Sequence, residues 1–184
     1  MTRTSPIPPM SAWLFVLSLA APGCIPVAFA DNTSQGAVSL RAGAGEHASR
    51  IGLAWESPPL WSYRFGGNKN RLDLTTELGV AYWKAKTPRT PASVWQFSAM
   101  PVLRWTTGER FYIEAGFGPT VFTRTHFANE EISTAFQFGS EVGMGVYLSR
   151  ASRIGMRFAH FSNGGIKTPN PGFQILQLTY TYQY

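Results

Sequence analysis

The sequence predicts an all-β protein, an eight-stranded antiparallel transmembrane β-barrel. Three observations predict it. The last segment alternates Leu176, Leu178, Tyr180, Tyr182 and Tyr184 with Gln177, Thr179, Thr181 and Gln183, and it stops on an aromatic residue. The same period-2 alternation recurs along the chain, and that is the signature of strands with two different faces. Beyond residue 30 there is no apolar run of the roughly 18 residues that a helical span needs, although Phe, Trp, Tyr and Gly are plentiful.

Residues 1–30 read as a secretory signal. Arg3 provides the basic n-region, Ala12 to Ala21 the apolar run, and Val27-Ala28-Phe29-Ala30 the small-x-small cleavage site. Cys24 matches a lipoprotein pattern poorly and leaves with the signal, so no disulfide framework remains. Residues 31–184 then form one barrel domain. Removing Arg3 leaves 15 basic residues against 10 acidic ones. That balance suits an anionic lipid surface. It does not suit nucleic acid, because the basic residues are scattered and the chain is exported.

The strands follow in order. Gly36 to Glu46 places Val38, Leu40 and Ala42 on one face, with Ser39 and Arg41 on the other. Arg50 to Ser57 has Ile51, Leu53 and Trp55 in phase, and Pro58-Pro59 stops it. Residues 58–70, with Gly66-Gly67-Asn68, read as a turn region. Arg71 to Lys84 sets Leu72, Leu74, Leu78, Val80 and Tyr82 against Asp73, Thr75, Glu77 and Gly79. Ser93 to Thr106 sets Trp95, Phe97, Leu103 and Trp105 against Gln96, Ser98 and Arg104. Phe111 to Thr125 and Ile132 to Ser149 continue the pattern, with Glu114 and Glu141 on the polar faces. Arg153 to Ser162 and Phe173 to Tyr184 complete the eight. An even count is what an outer-membrane barrel needs. A soluble sandwich would have to expose the charged face, and the many large aromatics favour lipid as the partner of the apolar one. The interior of so small a barrel is filled by side chains, here a mixed-charge plug, and a channel is disfavoured.

One stretch breaks the pattern. In Arg157-Phe158-Ala159-His160-Phe161-Ser162-Asn163-Gly164-Gly165, His160 and Ser162 share the apolar face of Met156 and Phe158. Gln174 has the lipid-facing parity of Leu176. With both termini on the periplasmic side, all three converge on the lipid-facing wall near the cell exterior. A polar group facing lipid is costly unless paired, and a Ser–His–amide chain would pair them. Ser162 with His160 as base is also what a serine hydrolase needs. Backbone N–H groups of Ser162 to Gly165, or the amides of Asn163 and Asn170, are candidates to bind the oxyanion. A cluster of interface polars beside a turn fits the same residues equally well.

The segment His160-Phe161-Ser162-Asn163, then Gly165-Ile166-Lys167, then Pro169-Asn170-Pro171-Gly172 resembles the active-site segment of the PagL family of outer-membrane lipid A 3-O-deacylases. The resemblance covers residues 31–184 as architecture and residues 157–174 as motif. It implies an esterase that removes the 3-hydroxyacyl chain ester-linked at position 3 of lipid A. It implies a Ser–His–acid triad on the barrel exterior, with neither metal nor cofactor. Carried over, Ser162 is the nucleophile and His160 the base, while Asn170 and the Gly165 backbone match the oxyanion positions. The family's acid falls 14 residues after the His, where this chain has Gln174. An amide can accept the imidazole N–H but cannot stabilise imidazolium by charge. Glu141 and Glu114 face inward and are badly placed to substitute.

Lipopolysaccharide and the outer-membrane lipids are therefore the expected partners, and the bacterial outer membrane the expected location. A homodimer is left open. The competing readings are a non-catalytic structural barrel and an outer-membrane phospholipase. His47 and His126 read as loop polars, and no metal-ligand spacing or phosphate-binding loop stands out.

Overall fold

A computed structural model describes residues 36–108 and 110–184; the expected signal segment of residues 1–30 lies outside the described residues. Strands β1 (Ala37–Ala44), β2 (Ala48–Glu56), β4 (Asn70–Ala85), β5 (Ser93–Thr107), β6 (Phe111–Phe122), β9 (Phe136–Tyr147), β10 (Ser152–Ser162) and β11 (Phe173–Gln183) build the barrel. Each pairs antiparallel with its neighbours in the order β2-β1-β11-β10-β9-β6-β5-β4, and the β2–β4 ladder closes the ring. The eight expected strands are these eight, with boundaries moved by a few residues. No helix occurs among the described residues.

The 58–70 segment is more than a turn. It contains a short strand, β3 (Trp61–Phe65), paired with the first half of β4. The cause is a length mismatch. β4 has 16 residues and β2 only 9, and β2 pairs with β4 no lower than Glu56↔Glu77. The prolines after β2 end its ladder, and β3 supplies partners for the rest of β4. A second addition, the hairpin β7 (His126–Phe127) with β8 (Glu130–Glu131), sits among the loops at the opposite end from the termini.

The burial pattern is inverted relative to a water-soluble protein. Arg104 and Arg153 are 2% and 1% exposed, while Val142 and Leu178 are 59% and 60% exposed. Apolar residues outside and charges inside are stable only when lipid covers the wall. Inside, Arg104 grips Glu56 with both terminal nitrogens at 2.9 and 2.7 Å and reaches Glu114 at 2.9 Å. Arg157 binds Glu77 twice at 2.7 Å, Glu114 at 2.5 Å and Glu141 at 3.0 Å. Arg41 also pairs with Glu77, and Arg153 with Glu56. Buried charges persist only with partners of this quality.

Toward the loop end the filling changes character. Trp83, Phe122, Phe127, Phe161 and Phe173 form one apolar cluster, with neighbouring ring centroids 5.6–6.4 Å apart. Edge-to-face packing of this kind is favourable beyond simple burial. The Trp83 indole N–H donates to Gln96 at 2.7 Å, where the aromatic layer meets the polar one.

Candidate active site

The aromatic cluster positions the polar stretch. Phe161 and Phe173 are cross-strand partners on β10 and β11, and both rings point into the barrel. In a strand, neighbours of an inward residue point outward. His160 and Ser162 therefore emerge on the outer wall beside Phe161, and Gln174 emerges beside Phe173. The ladder sets His160 directly opposite Gln174. On its other side His160 is opposite Ser140 of β9. A polar row, Ser140–His160–Gln174, thus crosses three strands on a wall otherwise made of Phe138, Val142, Phe158 and Leu176. His160 and Ser162 are half-buried, and Gln174 is exposed.

The expected Ser–His–amide chain is not closed. Among the described residues no hydrogen bond joins the side chains of Ser162, His160 and Gln174. Side chains two apart on a strand stand side by side, about 6–7 Å between their Cα atoms at the strand rise. Closure in such sites commonly comes with substrate.

The loop of residues 163–172 is held by Asn163, which is fully buried. Its Nδ2 donates to the carbonyls of Lys167 at 2.7 Å and Ile132 at 3.2 Å. Its Oδ1 accepts the Gly165 N–H at 2.9 Å, and its own N–H donates to Asn170 Oδ1 at 3.0 Å. Gly164 and Gly165 both have positive φ, 65° and 83°, which suits glycine. Ser133 ties the far side of the loop by donating to the Pro169 carbonyl at 2.7 Å.

These bonds divide the oxyanion candidates. The Asn163 amide donates to Lys167 within the loop and to Ile132 outside it, and the N–H groups of Asn163 and Gly165 are spent within the loop. Asn170 is different: its Oδ1 is the pinned end, and no bond engages its Nδ2 among the described residues. Among the side-chain amides of the loop, the donor that none of these bonds engages is therefore Asn170 Nδ2.

Gly172 was not singled out by sequence reasoning as a site residue, yet it touches the imidazole. Its φ is 70°, and a Cβ there would lie 2.8 Å from Cε1 of His160 and 3.5 Å from Nε2. Ser140 was also missed; its signal was the outward parity of β9, where it is the one hydroxyl between Phe138 and Val142. Glu114 and Glu141 lie inside the barrel on Arg157, as their parity required. Beside Gln174 a groove of about 520 Å³ opens between the β1–β2 turn and the start of β11. Among the described residues no three His, Cys, Asp or Glu side chains are grouped to hold a metal ion.

The comparisons with known proteins agree with this architecture. Residues 49–183 match the family described as lipid A 3-O-deacylase (PagL). The chain is 59% identical over 151 residues to the lipid A deacylase PagL of Bordetella bronchiseptica, covering 82% of this chain and 85% of that protein. It is 26% identical over 170 residues to the lipid A deacylase PagL of Pseudomonas aeruginosa, covering 88% and 92%. A crystal structure described as the outer membrane enzyme PagL superposes with a TM-score of 0.70 at 26% identity, covering 79% of this chain and 97% of that one. With its closed eight-stranded barrel, its outward polar row and a match over most of its length, the chain belongs to the PagL family of lipid A 3-O-deacylases, enzymes of the outer membrane.

Proposed function

We propose that this enzyme removes the ester-linked 3-hydroxyacyl chain at position 3 of lipid A by serine catalysis, with Ser162 as nucleophile and His160 as general base. The observation that carries the reading is the row of polar side chains on a lipid-facing wall. Such groups are expensive in that position, and a substrate whose acyl chains lie in the same leaflet gives them a purpose. Ser162 Oγ attacks the ester carbonyl while the His160 imidazole takes its proton. Asn170 Nδ2 donates to the oxyanion that forms. The bond to the glucosamine oxygen then breaks, and the imidazolium returns the proton to that oxygen. Water, activated by the same imidazole, hydrolyses the acyl-serine and releases the 3-hydroxy fatty acid.

Gln174 takes the place of the orienting acid. Its amide oxygen can accept the imidazole N–H and hold the tautomer, without adding charge. Residues 1–30 act as the cleaved export signal, and lipopolysaccharide in the outer leaflet is the substrate. Mass spectrometry of lipid A after incubation with the refolded protein tests the reading. Loss of one 3-hydroxyacyl chain is expected, and Ser162→Ala is expected to prevent it. Deacylation that survives Ser162→Ala would remove the serine mechanism.

A further inference from the structure

The family's acid is absent at position 174, and the barrel brings another carboxylate to the same row. β1 pairs with β11 in a register that sets Ala42 opposite Leu178 and Ala44 opposite Leu176. Two residues further, the same count sets Glu46 against Gln174. Regular pairing stops at Ala44, but the chain does not swing away: a Cβ placed on Gly45 would collide with the Gln174 carbonyl oxygen. Glu46 is exposed, in phase with the outward-facing Ala42 and Ala44. The turn that carries it is pinned by Gly45 N–H to Ala48 O at 2.8 Å, Lys86 N–H to His47 O at 2.8 Å and Lys86 Nζ to Gly45 O at 2.7 Å. The groove of about 520 Å³ is lined by Glu46, Gln174 and Gly172 together, and Gly172 backs the His160 ring.

We infer that Glu46 supplies, from the β1–β2 turn, the negative charge that the triad lacks at position 174. It acts as a positioning residue on His160 through the groove, and the inference rests on the serine-esterase reading above. The other carboxylates fit less well. Glu114 and Glu141 are held inside the wall by Arg157. Glu130 also lines the groove, but it sits on the hairpin strand β8, outside the row. The one basic group within 4 Å of the Glu46 carboxylate among the described residues is the His47 ring, 3.5 Å away, and the Glu46 side chain is otherwise exposed. That contact leaves the carboxylate free to face the groove, since a carboxylate accepts several bonds at once.

A charge-relocation cycle tests this on the refolded enzyme, with Ser162→Ala as control and with folding checked by the heat-dependent gel shift of intact barrels. Glu46→Gln is expected to lower kcat about tenfold with KM unchanged, the effect of one charge several ångströms away near a protein surface. Glu46→Asp should retain most activity. In the double variant Glu46→Gln/Gln174→Glu, the carboxylate at 174 is expected to restore kcat to the wild-type level or above. A merely structural role for Glu46 would leave the gain from Gln174→Glu the same in both backgrounds, whereas a shared charge makes that gain larger once Glu46 is neutral. Full kcat in Glu46→Gln, or a gain from Gln174→Glu no larger in the Glu46→Gln background than in the wild type, overturns the inference, as does a fall in Glu130→Gln that Glu46→Gln does not share. Wild-type activity that persists in Ser162→Ala would instead overturn the esterase mechanism itself, and the two failures are distinguishable.

Discussion

His160 and Gln174 stand directly opposite each other across the β10–β11 ladder, both on the lipid side of the wall. Opposed residues in an antiparallel pair have Cα atoms about 4.5–5.5 Å apart, so the position after β11 begins is within side-chain reach of the imidazole. An acid there would touch His160. The amide that this chain carries can orient the ring but cannot offset its positive charge.

Gln174→Glu is therefore expected to raise kcat. The reverse change, acid to amide, costs about 10⁴ in a serine-protease triad, which bounds the gain from above. A gain of about tenfold or more is expected if the wild-type amide is the weak element. The rate of 3-hydroxy fatty acid release measures it, and an unchanged rate would mean that position 174 exerts no control.

Ser162→Ala and His160→Ala should each lower kcat by about 10³-fold or more, and the double variant should be no worse than either single one. Groups that act as a unit lose their effect together. Additive losses in single-turnover assays would show that the two residues do not share a step.

Asn170→Ala should lower kcat by about 10²–10³-fold, the usual loss for one oxyanion donor, with little change in KM. Asn163→Ala should behave differently. It removes three bonds, leaving the Lys167 carbonyl and the Gly165 N–H without these partners and taking one of several donors from the Ile132 carbonyl. At about 1 kcal/mol per hydrogen bond, the loop loosens by about 3 kcal/mol while the barrel stays folded. Limited proteolysis between residues 163 and 172 reads the loosening, and the gel shift reads the barrel.

Gly172→Ala should reduce activity without unfolding the protein. A non-glycine residue at positive φ costs on the order of 1 kcal/mol, and the new methyl group would press on His160 Cε1 from 2.8 Å. Slower labelling of Ser162 by a phosphonate ester would report the displaced base. Labelling at the wild-type rate would show that the ring is not held by this contact.

Arg157→Met should destabilise the barrel as a whole. It takes one arginine partner from each of Glu77, Glu114 and Glu141 inside the wall, leaving Arg41 and Arg104 to serve all three. Breaking a buried ion pair by removing one partner costs about 3–5 kcal/mol. Urea unfolding in vesicles should show a lower midpoint, and pairing the change with Glu77→Gln should recover part of the loss.

Much of this molecule was legible in the amino-acid sequence. Alternation is a local property, so the parity of Arg157, Phe161 and His160 could be read off one strand, and with it which residues face lipid. Eight such segments implied closure, and the polar pair on an apolar face marked the candidate site. What only the tertiary structure decided lies between segments. Ladder register placed Gln174 opposite His160 and Ser140 on the other flank. The unequal lengths of β2 and β4 gave β3 its place, and the short alternation of Trp61, Tyr63 and Phe65 with Ser62 and Arg64 could not by itself say which strand it would pair with. The loop hydrogen bonds committed the donors of Asn163 and Gly165 and left that of Asn170. The turn after β1 brought Glu46 beside a site more than 110 residues away in the chain. The physical reason is the same in each case: period-2 patterning specifies which way a side chain points, while pairing and loop closure specify what it meets.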